Sequence, residues 1–200
     1  MANDDRLRLG VLASGKGSNL AALADACRSG ALNASIEIVL SDVEGSGALR
    51  IAAERGLAAR FIPPGGFSAK LDEEAERAYV AALNDAGVDF VVLTGFMRIL
   101  KGDFLRAFER RVINIHPSLL PSFPGLAAWR QALEHGVKVT GCTIHLVDQG
   151  IDTGRILAQK AVEVREDDTP ASLHERIQEA ERQLYPLTLA RIAEGLLAID

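Results

Sequence analysis

Short apolar runs alternate with helical patterns along the first half of the chain, and this alternation limits the fold more than any single residue does. Leu7 to Ala13 is the first run, and it ends at Ser14-Gly15-Lys16-Gly17. Ser18 to Ser29 then carries helical spacing, with Gly30 as its stop. The pattern repeats with strands over 35–41, 58–62, 89–93 and 111–115, and helices over 47–55, 70–86 and 102–108. Asp89 to Leu93 is apolar almost throughout, as a strand buried on both faces must be. Strands that alternate with helices predict a parallel sheet covered on both sides, an α/β fold. Beyond residue 110 the pattern changes. A helix over 126–134 precedes two consecutive strands over 139–147 and 156–164, then a long helix. Thr169 caps that helix, Pro170 opens it, it runs toward Leu197, and Pro186 should bend it. In open α/β sheets ligands bind at the carboxyl ends of the strands. That rule selects residues 14–19, 94–100, 114–118 and 148–154.

No linker, repeat or low-complexity segment divides the chain, so residues 1–200 are expected to form a single domain. Acidic residues outnumber basic ones 27 to 22, a formal net charge of −5. An acidic surface argues against nucleic-acid binding, which needs a basic face. The two cysteines, Cys27 and Cys142, form no CxxC and suit a reducing cytoplasm. Met1 to Arg8 is charged and is not followed by the apolar segment of a signal peptide. No run approaches the roughly 18 apolar residues that cross a membrane. The expectation is a cytoplasmic protein of small-molecule chemistry.

Gly15-Lys16-Gly17-Ser18-Asn19 joins the first strand to the first helix. Amides at a helix start point outward, and the helix dipole adds positive potential, so the loop is suited to a phosphate. The alternative is a plain turn with Ser18 or Asn19 as N-cap. A dinucleotide fingerprint fails because Leu20 occupies the third glycine place. A P-loop fails because Gly17 replaces the hydroxyl that would ligate magnesium. A monophosphate fits better than NAD or ATP.

Asn114 and His116 lie two apart on the fifth strand and share a face, with Ile113 and Ile115 opposite. A carboxamide beside an imidazole can polarise a carbonyl and stabilise a developing oxyanion. It can equally satisfy local backbone groups. The loop Val147-Asp148-Gln149-Gly150-Ile151-Asp152-Thr153-Gly154 holds two carboxylates. One of them can pair with His116 and favour its protonated form, although Asp beside Gly usually signals turn chemistry. His145 reads as a buried core residue leaning toward these strand ends. His135 reads as a helix C-terminal residue and His174 as an exposed one. Asp168 and the Glu-rich stretch 73–76 read as solvated surface. The histidines lack zinc spacing, and no metal is expected.

Several segments together resemble the glycinamide ribonucleotide formyltransferases. They are LASGKGSNL (12–20), VVLTGFMRIL (91–100), INIHPSLLPSFPG (113–125), HLVDQGIDTG (145–154) and ERQLYP (181–186). They span nearly the whole chain in the family's order. The resemblance implies a Rossmann-like three-layer fold with a mostly parallel central sheet. It implies transfer of a formyl group from 10-formyltetrahydrofolate to the amine of glycinamide ribonucleotide, a step of de novo purine biosynthesis, by a monomer or homodimer without a metal. Gly17, Ser18 and Asn19 would hold the substrate phosphate, and Glu181 its sugar or amine. Lys70, Met97, Arg98, Ile99 and Leu100 would serve the folate. Asn114 and His116 would bind the formyl oxygen, with His116 also the proton donor and Asp152 its charged partner.

The chain departs from the family's pattern in a few places. Lys70 stands where Arg is expected, so a bidentate contact becomes a point charge. Ala127-Ala128-Trp129 follows Leu126 where more polar residues are expected, and Arg155 follows Gly154 where Pro is usual. Two other readings compete. A hydrolase with the same folate site would need no phosphate cradle, and a nucleotide-binding module without catalysis would have no use for a buried polar trio.

Overall fold

In the computed structural model, which describes residues 6–199, seven strands form one sheet. The expectation for Met1–Arg8 falls largely on residues 1–5, outside the described residues. The strands are β1 (Leu7–Leu12), β2 (Ala34–Ser41), β3 (Ala59–Phe61), β4 (Phe90–Leu93), β5 (Val112–His116), β6 (Val139–Leu146) and β7 (Ile156–Glu163). Their order is β3-β2-β1-β4-β5-β6-β7. The first five strands in chain order pair in parallel, and β6 and β7 add antiparallel. The strand order reverses between β1 and β4, so their carboxyl ends flank the crevice where this architecture takes ligands.

The helices are α1 (Ser18–Ser29), α2 (Gly47–Glu54), α3 (Glu73–Asp85), α4 (Gly102–Ala107), α5 (Ala128–His135) and α6 (Pro170–Ala193). Period-two alternation sends the strand side chains to two separate layers. Phe90 and Val92 of β4 pack with Leu23 of α1 and with Leu173, Ile177 and Tyr185 of α6. Val91 and Leu93 pack with Tyr79 and Leu83 of α3 and Phe104 of α4. Gly10 in β1 permits the close approach of α3, since a Cβ there would lie 2.4 Å from Leu83. Among the described residues, no helix is long and apolar enough to cross a membrane.

Three helix boundaries differ by more than one residue from the sequence expectation. The helix expected from Lys70 begins only at Glu73, because the Asp72 carboxylate caps it by accepting from the Ala75 amide at 2.9 Å. Lys70 instead forms an extended bridge to Ile99. The helix expected from Leu126 begins at Ala128, after a left-handed Ala127. The last helix ends at Ala193 rather than near Leu197, and it passes Pro186 as one element. Its expected start is observed: Thr169 caps it and Pro170 opens it. The alternative N-caps for α1 are overturned. Gly17 holds that position at φ 81°, and no side chain caps the helix.

Tyr185 of α6 is fully buried, and its hydroxyl donates to the Leu93 carbonyl at 3.1 Å and the Ile113 carbonyl at 2.9 Å. It thereby anchors α6 beneath the ends of β4 and β5. Tyr185→Phe leaves two buried carbonyls short of a donor and should cost about 1–3 kcal/mol. The urea midpoint of the variant should fall at unchanged m-value; an unchanged midpoint would remove this anchor from the fold.

Candidate active site

The glycine loop is shaped by what packs behind it. Gly17 is left-handed, and a Cβ there would lie 2.8 Å from Ala48 of α2. A Cβ on Gly47 would meet Lys16 at 2.6 Å. The loop therefore lies flat against the start of α2, and the Ala48 amide donates to the Gly15 carbonyl at 3.1 Å. With no side chain capping α1, the first amides of the helix are left for a ligand.

Asn19 leaves this loop and turns inward. It is 8% exposed, and its Nδ2 donates to Glu181 Oε2 of α6 at 2.9 Å. Its Oδ1 is buried and accepts nothing among the described residues. Burial pushes the Glu181 carboxyl up to about 7, against the opposing pull of the Asn19 donor and of Arg182. Glu181 and Tyr185 are one helical turn apart, so one face of α6 reaches both the glycine loop and the β5 backbone at Ile113.

Asn114 and His116 share a face of β5, as their spacing predicts; Ile113 and Ile115 point into the opposite layer. The carboxylates of the 148–154 loop divide their tasks. Asp148 does the turn chemistry, accepting from the Gly150 amide at 3.0 Å and the Thr153 hydroxyl at 2.7 Å. Asp152 faces the strand ends. Its Oδ2 lies 3.3 Å from His116 Nδ1 and accepts from the Gly125 amide at 2.8 Å, while its Oδ1 lies 3.7 Å from His145 Nε2. The Nε2 of His116 lies 2.9 Å from the Phe123 carbonyl. A carbonyl can only accept, so Nε2 is the donor there.

His145 is the residue that the sequence reading underrated. It is buried as expected, but it belongs to the cluster. Its Nδ1 donates to the Leu146 carbonyl at 2.8 Å, which leaves Nε2 to accept from Asn114 Nδ2 at 3.2 Å. Burial holds its imidazole below the ordinary histidine range, which keeps that acceptor available. The register shift between Ile144 and His145 in β6 accompanies this inward turn. The place of His145 next to the last residue of β6 gives only its lean toward the strand ends, and the pairing with Asn114 is a long-range one.

The residues expected around a folate take different positions. Met97 is 59% exposed beside the crevice, and Leu100 packs in the α3–α4 layer. Arg98 turns its side chain inward. Its Nε donates to Asp42 Oδ2 at 2.7 Å, and its Nη1 donates to the carbonyls of Phe67 and Ser68. The Ile99 amide donates to the Ala69 carbonyl at 2.9 Å. Lys70 is exposed, with its ammonium 4.4 Å from the centre of the Phe67 ring.

Three peripheral expectations are corrected. Asp168 is not solvated: Arg176 grips both its oxygens at 2.6 Å, which holds the carboxyl well below the usual range. Glu76, in the stretch read as surface, accepts from the Phe104 amide and ties α3 to α4. His174 is half-buried rather than exposed, stacked on Trp129 with ring centres 3.7 Å apart. Among the described residues, no group of three or more His, Cys, Asp or Glu is arranged to hold a metal ion.

A family model described as formyl transferase matches residues 7–189. The human trifunctional purine biosynthetic protein adenosine-3 is 42% identical over 194 residues, which are 97% of this chain and 19% of that protein. The Drosophila melanogaster protein of the same name is also 42% identical, over 100% of this chain and 15% of its own length. The chain thus spans under a fifth of these relatives. Glycinamide ribonucleotide transformylase 1 from Symbiobacterium toebii superposes with a TM-score of 0.92 at 45% identity, covering 98% of this chain and 92% of the other. Phosphoribosylglycinamide formyltransferase from Brucella melitensis superposes with a TM-score of 0.88 at 43% identity, covering 95% and 97%.

The Glu181 shift gives a pH signature. The folded carboxyl holds its proton more tightly than an unfolded one, so its stabilising contribution is complete below about pH 4.5 and is lost as pH rises through about 7. At about 1.4 kcal/mol per pH unit, this is on the order of 3 kcal/mol. Glu181→Gln lacks the titration. Its stability relative to wild type should therefore rise between pH 5 and 8, read from urea midpoints. Parallel pH profiles would place the Glu181 carboxyl in a solvated environment.

Proposed function

The chain belongs to the formyl transferase family, and we propose from that premise that it transfers a formyl group to the amine of glycinamide ribonucleotide, a step of de novo purine biosynthesis. Formylglycinamide ribonucleotide is the product. The co-substrate, 10-formyltetrahydrofolate, supplies the formyl group and leaves as tetrahydrofolate. One observation carries the reading. A carboxamide and a carboxylate-backed imidazole stand together at the end of β5, joined through one face of α6 to a glycine loop with free helix amides.

Each group then has a task. The amides that open α1 hold the substrate phosphate, where the helix dipole favours a dianion. The buried Asn19 Oδ1 and the Glu181 carboxyl meet donors of the ribose or the amine, which gives Asn19 the partner it lacks among the described residues. Asn114 has one Nδ2 proton committed to His145 and a second free for the formyl oxygen. His116, with Asp152 behind its Nδ1, donates the stronger charge-assisted bond and moves a proton when its ring lets go of the Phe123 carbonyl. Asp152 accepts the proton that the attacking amine must lose.

The crevice has surfaces suited to a flat pterin. Met97 and Ile151, both more than half exposed, offer apolar cover at the strand ends. In the segment 97–100 the Met97 and Ile99 amides are spent on Ser14 and Ala69 and the Arg98 side chain on Asp42, which leaves the other backbone groups for the pterin edge. Lys70 would meet the anionic tail of the folate as a point charge. The two unpaired thiols, Cys27 and Cys142, fit a cytoplasmic location. The glycine loop disfavours a hydrolase, because water needs no phosphate cradle.

Incubation with 10-formyltetrahydrofolate should release tetrahydrofolate only when glycinamide ribonucleotide is also present. Equal release without the ribonucleotide would identify a hydrolase. Gly17→Val should raise the KM for the ribonucleotide by roughly tenfold or more, the scale of a lost charge-assisted contact. Tetrahydrofolate affinity measured alone should hold. A matching fall in folate affinity in a variant that keeps the wild-type urea midpoint would remove the phosphate from this loop.

A further inference from the structure

We propose that Asp42 is a positioning residue that couples the phosphate loop to the folate pocket. The inference rests on the reading of those two loops given above. Asp42 follows the last residue of β2 and is 5% exposed. Its Oδ1 accepts from Ser14 Oγ at 2.5 Å, and its Oδ2 accepts from Arg98 Nε at 2.7 Å. Ser14 Oγ in turn accepts from the Met97 amide at 2.8 Å, and the Ser14 amide donates to the Gly95 carbonyl at 3.2 Å. Arg98 reaches onward to the carbonyls of Phe67 and Ser68. One buried carboxylate thus ties together the segments 14–19, 95–100 and 67–70.

The chemistry fixes the direction of each bond. The Met97 amide has only a proton to give, so Ser14 Oγ accepts it and must spend its own proton on Asp42. Asp42 accepts from both sides, and the Arg98 guanidinium can only donate. Arg98 is thereby withdrawn from solvent and spent on holding the 67–68 backbone beside Lys70. Ser14 lies three residues before Gly17, with the tight turn between them pinned against α2. A glycine loop that closes on a phosphate therefore shifts Ser14, and the shift passes to the Met97 amide and, through Asp42, to Arg98. A contiguous chain of short bonds of this kind is a physical route for coupling, and coupling between two ligands is reciprocal.

The role separates from mere stabilisation because it predicts a linkage between ligands. Glycinamide ribonucleotide and tetrahydrofolate cannot react together, so each can be titrated calorimetrically with and without the other. In wild type each should tighten the other at least about fivefold, the lower end of ordinary allosteric coupling. Asp42→Asn has one acceptor oxygen: kept for Ser14, it turns an amide donor toward Arg98, and turned to Arg98, it leaves Ser14 without an acceptor, so the factor should fall to near one. Ser14→Ala leaves the Asp42–Arg98 pair in place and removes the hydroxyl that bonds both Asp42 and the Met97 amide. It should lose the coupling as well, and it decides the matter where Asp42→Asn does not fold. Equal coupling in wild type and Ser14→Ala would overturn the proposal, as would a wild type with no coupling. If the wild type turns over with both substrates, either result sinks this inference alone. If it fails to turn over, the functional reading fails and the inference falls with it.

Discussion

The Asp152 carboxylate is the point on which the site depends. It accepts from the Gly125 amide, backs His116 and stands near His145, so one side chain joins the ends of β5 and β6 to two loops. The residue holds a left-handed backbone at φ 55°. Such a conformation costs a non-glycine residue on the order of 1 kcal/mol, and Asp tolerates it better than most. The neighbouring Asp148 stabilises the turn from within, and that leaves Asp152 free to face inward. The Phe123 carbonyl completes the arrangement by holding the far nitrogen of His116, with Phe123 itself left-handed at φ 56°. Strain at two loop residues and a polar cluster thus occur in the same few ångströms, as they do where geometry serves chemistry.

Around that centre the fold separates carboxyl groups by environment. Asp152 is partly exposed and surrounded by donors, whereas Glu181 is buried on α6 and pushed up to about 7. The Glu181 setting suits a group that gains or loses a proton near neutrality. His145, kept neutral by burial, serves a third purpose: it turns the Asn114 amide toward the crevice. Tyr185 and Glu181, one turn apart on α6, hold the backbone of β4 and β5 and the glycine loop to one helix.

Much of this was legible in the sequence, and for definite reasons. Strand and helix periods differ, so the parallel sheet and the order of its elements followed from pattern. The face shared by Asn114 and His116 followed from the period of two. The cap at Thr169-Pro170 followed from local chemistry. What was not legible depends on long-range partners. Arg98 finds Asp42 across 56 positions, and Asp168 is buried by Arg176. His145 joins the site because antiparallel β6 sets it directly opposite Asn114, a pairing that no local spacing announces. The start of α3 moved because Asp72 caps it and Lys70 pairs with Ile99, a contact between separate loops.

The charge on Asp152 can be removed while its shape is kept. Single-turnover formyl transfer in Asp152→Asn, at saturating glycinamide ribonucleotide and 10-formyltetrahydrofolate, is the most direct measurement. The rate should fall on the order of 10²-fold or more, the scale of lost general-acid or oxyanion assistance, with dissociation constants for both ligands near those of wild type. A rate close to wild type would contradict a role for Asp152 in the chemistry and leave it a residue of the turn.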